Sequence, residues 1–269
     1  MTESPPVLCY HRVGGPPELG VTRIAPRTFA RQVRALASAG WRTLTLAEYA
    51  DRLTHPPSRI PHPELLLTID DGYAALARHA YPLLADLGFT AVTFLVTDYV
   101  GRTNTWDARY TWRRLPHLDW DTVRHWQARG FAFGSHGATH RRLTWLDDAG
   151  VTDELERSRA LLVARLGPEA GMAVAYPFGA TTPRVARLAR TAGYRLGFGG
   201  VRGTASDPFD QPRVGVYRWD RFAPPLAVRG GLLGAVGRGV ALAANRCSVG
   251  TSVMLRLRGS REPGAGGRR

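Results

Sequence analysis

The sequence predicts an α/β fold built mostly from parallel strands. Short apolar runs alternate with segments whose apolar residues recur at helical spacing, and the connections between them are short. The most apolar run, residues 65–69, ends directly in polar residues, which is typical of a strand buried on both faces of a parallel sheet. With 269 residues, the chain can form one α/β domain or two small ones.

The first half of the chain alternates strand and helix. Pro26 and Gly40 bracket an apolar stripe at helical spacing, and Thr45 is expected to cap the helix that follows. The elements predicted here are strand 7–11, helix 26–39, helix 46–53, strand 65–69, helix 74–87 and strand 91–96.

A long polar and aromatic insertion, residues 97–118, has no clear period. Such a loop inside a domain is usually functional or mobile. Beyond it, Asp121 is expected to cap a helix. The predicted elements are helix 121–129, strand 131–134, helix 147–166, strand 172–175, helix 183–192, strand 195–199 and strand 214–217. Residues 222–258 form a Gly-rich apolar extension and residues 259–269 a tail predicted to be disordered.

The chain is strongly basic, with a net charge of +14, and all 36 basic residues are arginine. A basic surface favours nucleic acid, anionic lipid or acidic glycans. No run of arginines interleaved with aromatic residues is present, so no nucleic-acid partner is predicted. The N-terminus shows no secretory signal pattern, which predicts a cytoplasmic location. The apolar extension could make peripheral contact with a membrane surface.

Two adjacent carboxylates, Asp70 and Asp71, stand where the most apolar strand should end. Ligand sites in α/β folds lie at the carboxyl ends of strands. Gly72 allows a turn that brings both side chains into one pocket. The alternative is a turn that only caps the next helix.

His136 and His140 are four residues apart, so both imidazoles can lie on one side of a helix or tight turn. They follow a predicted strand, as the carboxylates do, which places both groups on one face of a parallel barrel. One carboxylate and two imidazoles form a catalytic type of metal site with open positions. Two ordinary histidines are the alternative.

Three ordered motifs resemble those of the polysaccharide deacetylases, the NodB-homology domains of carbohydrate esterase family 4. Residues 68–72, Thr-Ile-Asp-Asp-Gly, resemble the T-F-D-D-G motif, and residues 135–140, Ser-His-Gly-Ala-Thr-His, resemble S-H-x-x-x-H. Residues 175–179, Ala-Tyr-Pro-Phe-Gly, look like the third motif, R-x-P-Y/F. The opening at residues 7–12 is similar to the first strand of many members.

The resemblance implies a distorted (β/α) barrel of the NodB-homology type over residues 1–221. The implied activity is metal-dependent removal of N-acetyl groups from an amino-sugar glycan or glycoside, so the implied partner is an N-acetylated carbohydrate. Asp71, His136 and His140 would hold one divalent ion. Zinc is the first candidate, and cobalt, nickel and iron are the others. Asp70 would be the general base. The backbone N–H of Phe178 would stabilise the oxyanion.

Two other functions stay open: a related amidase that cleaves a non-sugar C–N bond, and a silent carbohydrate-binding domain. The third motif has Ala175 in place of the arginine that orients the base, and no histidine follows His140 to act as general acid. His11, at the end of the first strand, is the candidate catalytic residue that could face the same pocket. The alternatives are that His11 is a structural histidine and that Asp70 itself carries the proton from water to the amine. The expected substrate-binding residues are Tyr73, Trp106, Asp107, Tyr176, Pro177 and Phe178. The other histidines, at positions 55, 62, 79, 117 and 125, are expected to be solvated.

Overall fold

The computed structural model describes residues 4–16, 21–55, 62–105, 114–203, 205–218, 220 and 239. In these ranges the strands are β1 (Val7–Tyr10), β2 (Arg12–Val13), β3 (Arg23–Ile24), β4 (Arg42–Thr43), β5 (Glu64–Ile69), β6 (Val92–Leu95), β7 (Ala132–Ser135), β8 (Ala173–Ala175), β9 (Leu196–Phe198) and β10 (Val214–Gly215). The helices are α1 (Pro26–Ser38), α2 (Leu46–Thr54), α3 (Ala75–His79), α4 (Tyr81–Asp86), α5 (Trp120–Gln127), α6 (Asp148–Leu166) and α7 (Pro183–Thr191).

The main sheet has eight strands in the order β10-β1-β5-β6-β7-β8-β9, with β4 paired to β5. Each of these pairs is parallel. A parallel bridge from Phe198 at the end of β9 to Gln211 brings the far edge close to the chain that leads into β10. The sheet therefore curls into a distorted barrel, which confirms the predicted α/β fold with mostly parallel strands.

Strand β5 supplies both faces of the core, because alternate residues of a strand point to opposite sides. Leu66 lies in the interior cluster with Phe94 and Phe198 from neighbouring strands. Leu65 and Leu67 pack outward in the cluster that includes residues of α1, α4 and α5. Each buried leucine of this kind stabilises the fold by about 1.5–3 kcal/mol. The same alternation directs residue 70 towards the barrel interior.

Two helix predictions needed correction. The predicted helix 74–87 is broken at Ala80 into α3 and α4, because Pro82 in the first turn of α4 lacks the N–H that a continuous helix requires. The N-cap of α5 is Asp119, not Asp121, since the Asp119 side chain accepts a hydrogen bond from the Thr122 N–H. The Thr45 cap of α2 is confirmed, as a capping box with Glu48.

The base of the insertion is tied to the turn that follows the two carboxylates. The Ala74 N–H donates to the carbonyl of Pro116, and the Leu118 N–H donates to the carbonyl of Gly72, each at 2.9 Å. The predicted tail 259–269 and, apart from Gly239, the extension 222–258 lie outside the described residues. In the described ranges, no helix is both long enough and apolar enough to span a membrane.

Candidate active site

The predicted site residues meet at the carboxyl ends of neighbouring barrel strands. Asp70 and Asp71 follow β5, His136 follows β7, and His11 follows β1. All of these strands are parallel, so their carboxyl ends share one edge. The fold brings together residues that lie far apart in sequence because each stands immediately after its own strand.

Asp71, His136 and His140 form a compact group of potential metal ligands. The Oδ1 atom of Asp71 lies 3.6 Å from Nε2 of His136 and 3.5 Å from Nε2 of His140. Two ligands of one tetrahedral zinc ion, each about 2.1 Å from it, stand roughly 3.4 Å apart. One donor atom from each of the three residues lies within 4.8 Å of the others. The donor set and its spacing therefore fit a zinc ion.

Both imidazoles are held in the form that can bind a metal. His136 donates from Nδ1 to the backbone carbonyl of Ala175 at 2.7 Å, which leaves the lone pair of Nε2 facing the carboxylates. Burial lowers the pKa of His136 and lowers that of His140 well below its ordinary value. Neutral imidazoles are the protonation state that metal coordination requires.

Backbone strain is concentrated at this site. In the described ranges, the non-glycine residues with positive φ are Asp71, His140 and Phe178, at 71°, 64° and 63°. Left-handed backbone costs an L-residue roughly 1–2 kcal/mol, so such residues persist where the surrounding structure enforces them. Asp71 and His140 are two of the three predicted metal ligands, and Phe178 is the predicted oxyanion donor.

Arg213 orients Asp70, which corrects the expectation that no such partner exists. Its two terminal nitrogens donate to the two carboxylate oxygens at 2.7 and 2.8 Å, a bidentate pair, and both side chains are buried. Its Nε donates to the carbonyl of Gly199. Ala175 does replace the arginine of the third motif, but Arg213, the residue immediately before β10, supplies the guanidinium that pairs with Asp70.

Asp70 is ionised in this setting. Burial alone would raise the pKa of the carboxyl group, but the charge of Arg213 and its hydrogen bonds to the carboxylate outweigh that effect and hold the pKa below its usual value. The thiol of Cys9 also donates to Oδ2 of Asp70, at 3.5 Å. Asp70 is therefore a fixed, charged carboxylate, with Oδ2 3.8 Å from Nε2 of His136.

His11 faces the same pocket. Its Nε2 lies 3.9 Å from Oδ2 of Asp70, and the side chain is 26% exposed. Desolvation lowers the pKa of the imidazole to about 4, against an opposing effect of the Asp70 charge. His11 is thus a neutral imidazole beside the carboxylate, with access to solvent.

Helix α6 supports the turn that carries both histidine ligands. Glu154 is buried and accepts hydrogen bonds from the backbone N–H of Thr139, at 2.9 Å, and from its hydroxyl. The hydroxyl groups of Ser135 and Ser158 are hydrogen bonded at 2.7 Å. A Cβ on Gly137, whose φ is +78°, would approach Glu154 to 3.0 Å. The sequence analysis did not identify Glu154 as part of the site.

His117 is buried, contrary to the expectation that it is solvated. Its Nδ1 donates to the backbone carbonyl of Asp71 at 2.8 Å. Its ring packs against those of Tyr73 and Tyr99, with centroids 5.0 and 5.8 Å away. Desolvation lowers the pKa of His117 to about 4. The insertion thereby contacts the backbone of a predicted metal ligand.

The predicted substrate-binding residues occupy different environments. Phe178 is partly exposed and its ring lies 4.9 Å from that of His140, whereas Pro177 and Tyr73 are buried. Tyr176 is fully buried and its hydroxyl donates to the carbonyl of Phe209, so its side chain belongs to the core and not to the pocket wall that was predicted. Trp106 and Asp107 lie outside the described residues.

Comparisons with known proteins identify relatives in sequence and in fold. The chain is similar to "Putative polysaccharide deacetylase YxkH" of Bacillus subtilis (strain 168), with 26% identity over 238 residues that cover 87% of this chain and 77% of the relative. Among solved structures it resembles IcaB from Ammonifex degensii, with a TM-score of 0.67 and 27% identity, covering 91% of this chain and 98% of that one.

The fold is also similar to that of the Streptococcus pyogenes deacetylase PplD in complex with acetate. The TM-score is 0.70 at 20% identity, and the match covers 80% of this chain and 93% of that one. The model of the polysaccharide deacetylase family matches residues 59–197, just over half of the sequence, and includes both the paired carboxylates and the paired histidines. The chain therefore belongs to the polysaccharide deacetylase family, with the distorted α/β barrel expected of it.

Proposed function

We propose that this protein is a metal-dependent hydrolase that removes N-acetyl groups from an amino-sugar glycan or glycoside. The observation that carries the proposal is the meeting of Asp71, His136 and His140 beside a second carboxylate held by Arg213. One carboxylate is thus available as a ligand and the other as a base. This division of roles is what hydrolysis of an amide by activated water requires.

Asp71, His136 and His140 would hold the divalent ion, with zinc as our first choice and cobalt, nickel or iron as alternatives. When bound, such an ion supplies a Lewis acid that lowers the pKa of water and polarises the amide carbonyl. Asp70 accepts the proton of the attacking water, and its bidentate pair with Arg213 fixes the direction of the accepting oxygens. The N–H of Phe178 stabilises the oxyanion.

The leaving amine needs a proton as its C–N bond breaks and the new C–O bond to acetate is completed. We assign this role to His11, whose Nε2 lies 3.9 Å from the Asp70 oxygen. A carboxylate with a depressed pKa passes a proton on readily, so the proton taken from water can move through His11 to the amine. His11 would thus replace the late histidine that the sequence lacks.

The alternative of a silent carbohydrate-binding domain was based on two missing groups, the orienting arginine and the general acid. We assign the first role to Arg213, because of its bidentate pair with Asp70, and the 3.9 Å separation of His11 Nε2 from Asp70 Oδ2 supports His11 in the second. These contacts favour an active hydrolase. A cytoplasmic location and peripheral membrane contact through residues 222–258 remain predictions from the sequence.

The decisive experiment measures bound metal and acetate release together. Wild-type protein is reconstituted with zinc, and its metal content is determined beside that of Asp71→Ala, with β-1,4-linked N-acetylglucosamine oligomers as substrate. We expect wild type to bind about one equivalent of zinc and to release acetate, and Asp71→Ala to lose both because one of three ligands is gone.

Asp121→Ala is the matched control, since the Asp121 side chain is 91% exposed on the surface of α5. It should keep full metal content and activity. Full metal content in Asp71→Ala would show that the ligand assignment is wrong. Zinc-loaded wild type that cleaves simple amides but no N-acetylated sugar would favour the amidase alternative.

A further inference from the structure

One large apolar side chain stands out on the surface near the site. In the described part of the chain, Trp145 is the large hydrophobic residue that is exposed, at 43%. It lies in a short 3₁₀ turn, Leu143–Trp145, which begins three residues after His140. Exposed single apolar residues are common, so exposure alone assigns nothing to Trp145. Its neighbours distinguish it.

A stack of rings and a guanidinium connects Trp145 to the metal site. The ring of Phe178 packs 4.9 Å from that of His140. The guanidinium carbon of Arg142 lies 5.9 Å from the centre of the Phe178 ring and 5.2 Å from that of Trp145. Arg142 is half-buried, and it lies between the two aromatic rings. The stack thus continues outward from the predicted ligand His140 to the exposed indole.

This arrangement holds the indole without covering it. Cation–π contacts contribute about 0.5–1 kcal/mol at partly exposed sites, enough to favour one orientation of a surface side chain. A ring that is oriented in advance loses little entropy when a ligand stacks on it. Trp145 is therefore an aromatic surface that is positioned before binding and is connected to His140 through Arg142 and Phe178.

We propose that the exposed face of Trp145 is an outer sugar-binding subsite, which stacks against a pyranose ring some units away from the one that is deacetylated. This inference rests on the proposed function, because it concerns the substrate of the same site. One face of a pyranose ring carries C–H bonds and is apolar, and its burial against an aromatic ring is favourable. A subsite at Trp145 would bind a ring of an oligomeric glycan that a monosaccharide in the reacting position does not supply.

The test compares binding across sugar lengths in zinc-loaded protein. The affinities of wild type, Trp145→Ala and Trp145→Phe are measured by calorimetry for N-acetylglucosamine and for its β-1,4-linked oligomers up to the pentamer. We expect wild type to bind the pentamer more tightly than the monomer. Trp145→Ala should lose affinity for the pentamer by about tenfold and leave the monomer unchanged. Trp145→Phe should keep most of the affinity, because an aromatic ring remains.

Trp145 is largely outside the core, so these variants should keep the wild-type unfolding temperature, which is checked by circular dichroism. Wild-type affinity for the pentamer in Trp145→Ala would overturn the subsite, and so would a wild-type protein that binds pentamer and monomer equally. Acetate release is assayed in parallel. Binding that depends on Trp145 without any acetate release would contradict the proposed function while supporting the subsite.

Discussion

Arg213→Met tests the ion pair on which the proposed base depends. The guanidinium of Arg213 and the carboxylate of Asp70 are both buried and joined by hydrogen bonds of 2.7 and 2.8 Å. Removal of one partner of such a pair leaves a buried charge without compensation, at a cost of about 3–5 kcal/mol. Total stabilities of domains are about 5–15 kcal/mol, so the loss will be easily measured.

The sign of the pH dependence follows from the pKa of Asp70. In the wild type this pKa is held below 3.8, the ordinary value, so the ionised group contributes stability above that pH and loses it as the pH falls through the folded-state pKa. In Arg213→Met, burial without the guanidinium raises the pKa of Asp70. The loss in unfolding free energy relative to the wild type should therefore be largest near neutral pH, and it should shrink in acid, where the buried carboxyl group becomes neutral.

The assay is urea unfolding of metal-free protein, so that bound zinc does not contribute. Arg157→Met is the control, because the Arg157 side chain is 49% exposed and pairs with Asp98 at the surface; it should cost no more than about 1 kcal/mol. The double variant Asp70→Asn with Arg213→Met should recover part of the loss, since no buried charge remains. A loss below about 1 kcal/mol in Arg213→Met, without recovery in the double variant, would refute the reasoning.

Three further predictions concern the turn, the acid and the metal. Gly137→Ala should destabilise the protein by about 2–3 kcal/mol in chemical unfolding, because the new Cβ would press on Glu154. The control Gly130→Ala has a φ of +86° but open space around it, so it should destabilise the protein by only about 1 kcal/mol. Equal losses in the two variants would contradict this. His11 is neutral in the folded protein, because desolvation lowers its pKa from 6.5 to about 4. The free energy of unfolding should therefore fall as the pH drops from 6.5 to 4, and His11→Gln should lose less stability over that range, by up to roughly 3 kcal/mol in urea titrations of metal-free protein. An unchanged slope would show that the imidazole is not desolvated. Zinc at a hundred times its Kd should stabilise wild type by about 2.7 kcal/mol in thermal unfolding and leave Asp71→Ala unchanged, and a similar shift in both would place the metal elsewhere.

Local sequence pattern was sufficient to predict the longer strands and the meeting of the two carboxylates with the two histidines. The apolar run of β5 stops at Asp70, and the histidine pair follows β7 in the same way. A parallel sheet places such residues at one edge whatever their separation in the chain, so their meeting could be predicted from strand ends alone. The exact bounds of the helices were harder to predict, since Asp119 and Asp121 are both residues that commonly cap a helix, and it is Asp119 that accepts the hydrogen bond from the Thr122 N–H.

Tertiary structure alone decided which groups hold and tune these residues. Arg213 is one of 36 arginines and lies 143 positions from Asp70, so no local signal distinguished it from a solvated residue. Glu154 had the appearance of a surface residue of α6, and His117 that of a loop histidine. Each of these three side chains contacts a residue on another element of the fold. Such contacts depend on how the sheet curls and how the helices pack against it. Periodicity along one chain records which face a residue occupies, but not which distant residue it will meet there.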